Sequence, residues 1–400
     1  MDPEAEPRAA APAPRRGELD VLRALVVLGL VFFHASLVFS PDDDFYVKNG
    51  DTTDVVTVLA GLGVVWAMPM LFLVAGLGAR HSLRRRGPAG FARERLLRLG
   101  VPLVFASLAL NPLPQWLRLR AADPAYDESY GRFWLRFPTV HPDLADFPFV
   151  VDGRYFETGH LWFVVLLLAF CLLLVPVAGL LAAGGDRTAA AVPRHPSLLL
   201  LPALPLALVN AFLGMEESFA GWNRWAYLLF FLTGYALADD PRVRTALRRA
   251  VVPVGVLGLA LFAATAPGFV AAGDEDPFSS WAPLALLTRA LFGAAGWCWV
   301  LAILGLLDRR RPTAGPVEGA RGGGRGVWPY LSLAAMPLYV LHQPVVVAFA
   351  YGVVGWSAPI AVKYAAIVTG SLAVILVAYE YGVRRTRVTR FLLGMRRPPG

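Results

Sequence analysis

An arginine and a histidine lie eleven residues apart inside the first apolar segment of the chain, at Arg23 and His34. Ionisable side chains are costly in hydrocarbon, so their presence in a membrane segment points to function. At about 100° per residue, this spacing leaves the two side chains roughly 20° apart on one helix face and about 16 Å apart along the axis. One face therefore carries a cation near one membrane surface and a titratable base near the other. We interpret the pair as groups for chemistry conducted across a bilayer.

Two further histidines are predicted on the same side of the membrane as His34. At about 1.5 Å per residue from the cytosolic start of each span, His34 lies about 22 Å and His342 about 21 Å into a hydrocarbon core about 30 Å thick. His160 opens the fourth span at the outer surface. Imidazole titrates near neutrality, which makes it the natural general base. The alternative is three separate histidines, each satisfied by a backbone carbonyl between helices.

Arginine recurs at the cytosolic side. Arg23 lies about 6 Å inside the first span, while Arg95 and Arg98, at spacing i, i+3, share one face at the start of the third span. Guanidinium groups hold phosphates through paired hydrogen bonds, which suits a phosphate-rich donor such as a nucleotide-bearing thioester. The alternatives are topology and lipid headgroup contact for these arginines, and an ion pair between Arg23 and Asp20 one turn earlier.

The outer side offers candidates for acceptor binding. Arg224 and Arg289 lie near the outer ends of the sixth and eighth spans, and either acceptor binding or buried ion pairs would explain them. Residues 119–159 form a long outer loop in which acidic residues alternate with many aromatic ones. These aromatic side chains either lie in the interfacial belt of the membrane or form a lid that stacks on a sugar.

Membrane-spanning helices have to position these residues. The chain has 400 residues, of which 56% are hydrophobic and 16% charged, with a mean hydropathy of +0.54. Ordinary soluble domains are only about 45–50% apolar. Repeated apolar runs of about 20 residues predict an all-α, polytopic membrane protein of about ten spans. The spans are residues 19–39, 55–79, 97–117, 160–183, 197–214, 222–238, 250–268, 281–306, 328–351 and 359–380.

The loops between these spans alternate between acidic and arginine-rich, which predicts that both termini are cytosolic. The net charge of +8 therefore reflects topology and does not imply nucleic acid. We predict a disordered cytosolic tail at 1–17, a transmembrane domain at 18–383 and a basic cytosolic tail at 384–400, with a Gly-rich link at 312–327. The two cysteines, Cys171 and Cys298, lie inside apolar runs and predict neither a disulfide framework nor a metal site.

The chain resembles acyltransferase family 3, a family of integral membrane O-acyltransferases, from residue 19 to about residue 380. Arg23 and His34 stand at the family's spacing in LDVLRALVVLGLVFFHA, and Arg95 and Arg98 match its Arg-x-x-Arg in RERLLRLGVP. Weaker matches follow in the family's order: MPMLFLVAGLGAR, GHLWFVVLLL with His160, and LYVLHQPVV with His342. Within the family, the segments FFHASLVFS and RLGVPLVF most resemble the branch of periplasmic glucan succinyltransferases.

This resemblance implies a plasma-membrane enzyme that moves an acetyl or succinyl group from cytosolic acyl-CoA to a hydroxyl of an outward-facing glycan of the cell envelope, or of a similar acceptor. His34 would be catalytic, Arg23, Arg95 and Arg98 would bind the donor, and His160, His342 and Arg289 would support the site or face the acceptor. No bound cofactor or metal is expected. Many relatives carry a fused hydrolase-like domain after the last span, where this chain has about twenty residues. Either the membrane part completes the transfer or a separate extracytoplasmic partner protein does.

Two mechanisms stay open from the sequence. His34 either removes the proton of the acceptor hydroxyl or carries the acyl group itself as a covalent acyl-histidine. A different class of protein, a transporter or flippase for a polar lipid or anionic substrate, would also explain buried arginine and histidine. Transport would leave the substrate covalently unchanged and would not depend on acyl-CoA.

Overall fold

The computed structural model of the protein describes residues 17–41, 44–237, 240–270, 276–309 and 326–395. The fold is all-α, as predicted. The described α-helices are α1 (Gly17–Leu37), α2 (Val55–Val64), α3 (Ala67–Arg95), α4 (Val101–Ala109), α5 (Pro112–Ala122), α6 (Tyr130–Arg136), α7 (Trp162–Ala191), α8 (Ala203–Leu213), α9 (Arg224–Leu237), α10 (Pro241–Ala263), α11 (Ala266–Val270), α12 (Pro283–Arg309), α13 (Val327–Val353), α14 (Ile360–Val377) and α15 (Arg387–Leu392).

Shorter elements join these helices. Two π-helical segments, Leu96–Gly100 and Ala378–Val383, continue α3 into α4 and extend α14. Three 3-10 turns cover Gly159–Leu161, Pro196–Leu200 and Glu217–Phe219. In the outer loop, strands β1 (His141–Pro142) and β2 (Val151–Asp152) pair antiparallel, with His141 opposite Asp152.

Within the described residues, eight helical segments are long and apolar enough to cross a membrane. All ten predicted spans coincide with helix. The second and third predicted spans fall in one segment, Leu59–Ala122, and the sixth is α9, whose 14 residues are shorter than a full crossing. The number of crossings and the side of each terminus stay predictions. The predicted tail at 1–17 and the link at 312–327 fall almost wholly outside the described residues, whereas the predicted C-terminal tail contains α15.

Helices α3 and α9 pack with their backbones in contact. A Cβ added to Gly76 would lie 2.0 Å from the Phe231 carbonyl oxygen, and one added to Gly234 would lie 2.1 Å from the Leu73 carbonyl oxygen. Small residues allow this approach in membrane helices, where dispersion contacts replace the hydrophobic driving force. Gly87, with φ +69°, breaks α3 next to Pro88, so the helix turns away from its apolar half before Arg95.

The packing around α1 positions the predicted site residues. Helix α1 packs against α13 and α14, and α13 also packs against α5. On the other side of the molecule, α12 packs against α10 and α8. Residues of α1 and α13, which are far apart in sequence, therefore lie in one interface.

Candidate active site

The structure brings together the three histidines that the depth count places at the outer side. Nε2 of His342, on α13, lies 3.2 Å from Nδ1 of His34, on α1, and their ring centroids are 4.9 Å apart. The ring of His160, just before α7, lies at 4.9 Å from that of His342 in an edge-to-face arrangement. His342 is therefore the middle member of a cluster that draws on three spans.

Backbone carbonyls orient these imidazoles. Nδ1 of His342 is 2.5 Å from the Tyr339 oxygen, and Nε2 of His160 is 3.1 Å from the Val340 oxygen. A carbonyl only accepts, so each of these ring nitrogens carries the proton. The Tyr339 hydroxyl donates to the His160 carbonyl in turn. The helix of His342 thus holds both rings in fixed tautomers.

The same reasoning assigns the proton of His34. Its Nδ1 lies 3.0 Å from the Leu30 carbonyl oxygen, and Nε2 of His342, which faces it, has a lone pair to accept. Nδ1 of His34 is therefore the protonated nitrogen, and its Nε2 keeps a lone pair. His160 and His342 are buried, whereas His34 is half-buried, between Phe33 and Phe45. His34 is the member of the cluster that can offer a basic nitrogen to a substrate.

Two lysines, the only ones in the chain, tie down the outer end of α1. Nζ of Lys48 donates to the carbonyls of Leu37, at 3.1 Å, and of Ser40. The Lys48 ammonium group thereby caps the C-terminus of α1. Nζ of Lys363, buried on α14, donates to Oδ1 of Asn49 and to the Val354 carbonyl, each at 2.8 Å. This bracing fixes the last turn of α1, one turn beyond His34.

The predicted donor-side arginines lie at the other end of α1 and around the adjoining π-helical segment. Arg23 forms the ion pair with Asp20, at 3.1 Å, that the sequence left open, and its side chain is 42% exposed. Arg95 and Arg98 both pair with Glu94, at 3.4 and 3.3 Å. Nε of Arg98 also donates to the Gly394 carbonyl at 3.4 Å, so the C-terminal segment packs against this site. The three guanidinium groups lie away from the histidine cluster, toward the predicted cytosolic side.

The two outer arginines both have partners within the fold. Arg224 pairs with Glu216, at 2.6 Å, and with Asp146, and its guanidinium lies over the faces of Phe149 and Phe219. Arg289 is fully buried and donates to backbone carbonyls, those of Ala211, Pro277 and Ser280, at 2.8 to 3.2 Å. The structure therefore places Arg224 in ion pairs, and it places Arg289 as a clamp between α8 and the start of α12, separate from the histidines.

The aromatic side chains of the outer loop build a small core of their own. Phe133 and Phe137 are completely buried, and their rings contact those of Tyr155 and Phe156 at centroid distances of 5.6 Å. Arg136, over the Tyr155 ring, also pairs with Glu128. This packing gives the loop a defined shape over the outer end of the bundle.

Sequence reasoning missed a polar group beside the histidines. The Tyr46 hydroxyl donates to Oε1 of Glu157, and Nδ2 of Asn111 donates to the Thr158 carbonyl at 2.8 Å. Burial raises the pKa of the Glu157 carboxyl, and burial together with the Glu157 charge raises the pKa of Tyr46 well above its usual value. The sequence could have indicated these polar residues by their position, because Glu157 lies three residues before His160 and Gln343 directly follows His342.

Comparison with known protein families yields a match. The family model described as an acyltransferase domain, of the acyltransferase 3 type, matches residues 16–380, nearly the whole chain. No curated protein and no solved structure matches the chain significantly.

Proposed function

The chain belongs to this acyltransferase family and is an enzyme that transfers acyl groups other than aminoacyl groups, and from that premise we propose that it moves acetyl or succinyl from cytosolic acyl-CoA to a hydroxyl of an outward-facing glycan. The observation that carries the proposal is the contact between His34 and His342. It leaves a lone pair on Nε2 of His34, at the half-buried outer end of α1.

In the direct mechanism, Nε2 of His34 takes the proton of the acceptor hydroxyl as its oxygen attacks the thioester carbonyl. The C–O bond forms, the C–S bond breaks, and the thiolate of CoA receives the proton from the imidazolium. Nδ1–H of His34 donates to the Leu30 carbonyl and faces Nε2 of His342, so both acceptors stabilise the positive charge that develops on the ring.

In the covalent mechanism, Nε2 of His34 attacks the thioester carbonyl and releases the CoA thiolate. The acyl-imidazolium, which keeps its Nδ1 proton, then passes the acyl group to the acceptor hydroxyl. The hydroxyl proton goes to Nε2 and from there to the CoA thiolate, which restores neutral His34. The same lone pair and the same support from His342 serve both routes. Trapping of acyl groups on the protein in the absence of acceptor separates them.

The donor fits the opposite end of the same helix. The phosphates of acyl-CoA would bind Arg23, Arg95 and Arg98, because a guanidinium carries five N–H donors and can bind a phosphate beside a carboxylate partner. Arg23 and His34 are separated by about 16 Å along the helix axis, a distance that an extended pantetheine arm can cross. The thioester would then reach His34 from the inside while the acceptor approaches from the outside, at the cell membrane.

The experiment compares cells and membranes with the wild-type protein and with His34→Ala. Mass spectrometry of surface glycans should show an acyl-sized mass difference in the wild type that disappears in the variant at equal protein level. His195→Ala is the matched control, since His195 is an exposed histidine after α7. A substrate that crosses the membrane unmodified, without dependence on acyl-CoA, would contradict the proposal.

A further inference from the structure

Three side-chain amides near the histidine cluster have buried oxygens that lack a donor. Among the described residues, the buried amide oxygens without a hydrogen-bond partner are Oδ1 of Asn111, Oε1 of Gln115 and Oε1 of Gln343. Asn111 and Gln343 are 3% and 4% exposed. Buried polar atoms in native proteins are nearly always paired, and an unpaired one costs free energy. Three together indicate that hydrogen-bond donors from elsewhere complete them.

Two of the three amides are neighbours in space, and the third lies one helical turn from the first. Asn111 directly precedes α5, Gln115 follows one helical turn later on the same face, and α5 packs against α13, which carries Gln343. Around Gly159, the position where a Cβ would lie is 3.0 Å from the Tyr46 hydroxyl, 3.7 Å from the Asn111 amide nitrogen and 3.8 Å from that of Gln343. Gly159 and Gln343 are each next in sequence to a histidine of the cluster.

The amide orientation of Asn111 is fixed by its nitrogen side. Nδ2 of Asn111 donates to the carbonyls of Thr158, at 2.8 Å, and Glu157, at 3.3 Å. The Gln343 amide nitrogen and the Tyr46 hydroxyl both lie within 4 Å of the Cβ position of Gly159. With the NH₂ group of Asn111 committed to the two carbonyls, its oxygen points elsewhere, and an amide oxygen can only accept.

We propose that Asn111, Gln115 and Gln343 form the acceptor subsite of this enzyme, where their oxygens accept hydrogen bonds from the hydroxyls of a neutral, polyhydroxylated molecule. The inference rests on the proposed function. The half-buried Tyr46 and Glu157 form the rim, through which the acceptor enters from the outer side.

The charges around the subsite select neutral acceptors. Glu157 contributes a carboxyl that also accepts hydrogen bonds, and the neighbouring Arg118 is already paired with Asp44. A phosphate or carboxylate would bring more acceptor oxygens to a subsite whose three amide oxygens already lack donors. A sugar hydroxyl supplies a donor to each amide oxygen and presents its remaining hydroxyls toward His34.

The test measures binding without acyl-CoA, so that it is independent of the transfer reaction. The wild-type protein in lipid nanodiscs is titrated with neutral trisaccharides (maltotriose, mannotriose and raffinose) and with the anionic 3′-sialyllactose. At least one neutral sugar should bind, with the anionic one at least about tenfold weaker. Gln343→Met and Gln115→Met, which keep side-chain length and remove the amide, should each weaken binding about three- to tenfold, as loss of one hydrogen bond to a substrate would.

Asn210→Leu is the matched control and should bind within about twofold of the wild type. Asn210 is a fully buried asparagine on α8, and its oxygen is paired with the backbone of Asn223. The inference is overturned if no neutral sugar binds the wild type, if 3′-sialyllactose binds more tightly, or if the Met variants bind as the wild type does. If the protein transfers acyl groups yet fails this test, the proposed function stands and the subsite is wrong. If it binds sugar but transfers no acyl group, the subsite stands and the proposed function is wrong.

Discussion

His342 supports His34 from a distance of 308 residues in sequence, with 3.2 Å between Nε2 of the one and Nδ1 of the other. The supporting ring is completely buried and is itself held by the Tyr339 carbonyl. A base that is oriented by a second group, which is oriented by a third, is the arrangement that activated catalytic residues share. The roles of the two histidines can therefore be separated by experiment.

Removal of the base should abolish most of the transfer. We expect His34→Ala to lower kcat by about 10²–10⁴-fold, the usual contribution of a positioned general base. Acyl transfer by purified protein in liposomes, with radiolabelled acetyl-CoA and succinyl-CoA, measures the effect. His195→Ala should retain full activity, and an equal loss in that variant would mean that the assay reports folding.

Removal of the supporting ring should have a smaller effect. His342→Phe keeps a ring in the core but takes away the lone pair that faces Nδ1 of His34. We expect kcat to fall about 10–100-fold, as for other groups that orient a reactive side chain, while KM for acyl-CoA stays within about twofold. If kcat were unchanged, the contact between the two rings would be structural only.

The ion pair of Arg23 allows donor binding to be distinguished from a structural role. If Arg23 binds donor phosphates, Arg23→Gln should raise KM for acyl-CoA about tenfold or more, the effect of one lost charge-assisted hydrogen bond. Asp20→Asn removes this ion pair and should leave KM equal or lower. Steady-state kinetics at fixed acceptor measures both, and equal damage in the two variants would assign Arg23 to the ion pair.

Glu157 should make stability depend on pH. Because burial raises the pKa of this carboxyl in the folded state, folded protein binds more protons than unfolded protein above the unfolded pKa. Its contribution to stability therefore falls as pH rises from the usual carboxyl pKa of 4.5 through the folded pKa. Glu157→Gln should remove that decline, which is measured as the difference in Tm between variant and wild type across this range. A constant difference would show that Glu157 titrates normally.

The contact between α3 and α9 should not tolerate a methyl group. Gly76→Ala would place a Cβ 2.0 Å from the Phe231 oxygen and push the helices apart. We expect a loss of about 3 kcal/mol, or a fall in Tm of about 5 °C. Gly179→Ala is the control, because a Cβ at Gly179, inside α7, meets nothing within 4 Å. Thermal unfolding in detergent should separate the two variants.

From the sequence we could predict how deep a residue lies along its own helix, but not which residues of other helices lie next to it. The depth of His34 and His342 follows from counting residues along each span, since a helix in a membrane is nearly one-dimensional. Whether α13 packs against α1 depends on how the apolar faces of all the helices fit together. The residue periodicity of either helix alone does not indicate its packing partner. The distance between the two histidines was therefore not predictable.

Asn111 and Gln343 show a second limit. An amide in an apolar segment is unremarkable in sequence, because nearly every such group finds a partner after folding. Only the count of donors and acceptors in the folded structure shows which oxygens stay unpaired. The ion pair between Arg23 and Asp20, in contrast, is local, and spacing alone was enough to suggest it.

The bracing of α1 has a practical consequence for handling this protein. Lys48 and Lys363 are the only lysines, and the Lys363 amine bonds Asn49, the residue after Lys48, so both side-chain amines lie at the same end of the helix bundle. Once the N-terminal α-amine has been blocked, an amine-reactive dye that cannot cross lipid will label Lys48 only in vesicles where this end of the bundle faces outward. Cleavage after lysine, likewise, can cut only beyond α1 and within α14, so it leaves the intervening bundle in one piece for mass spectrometry.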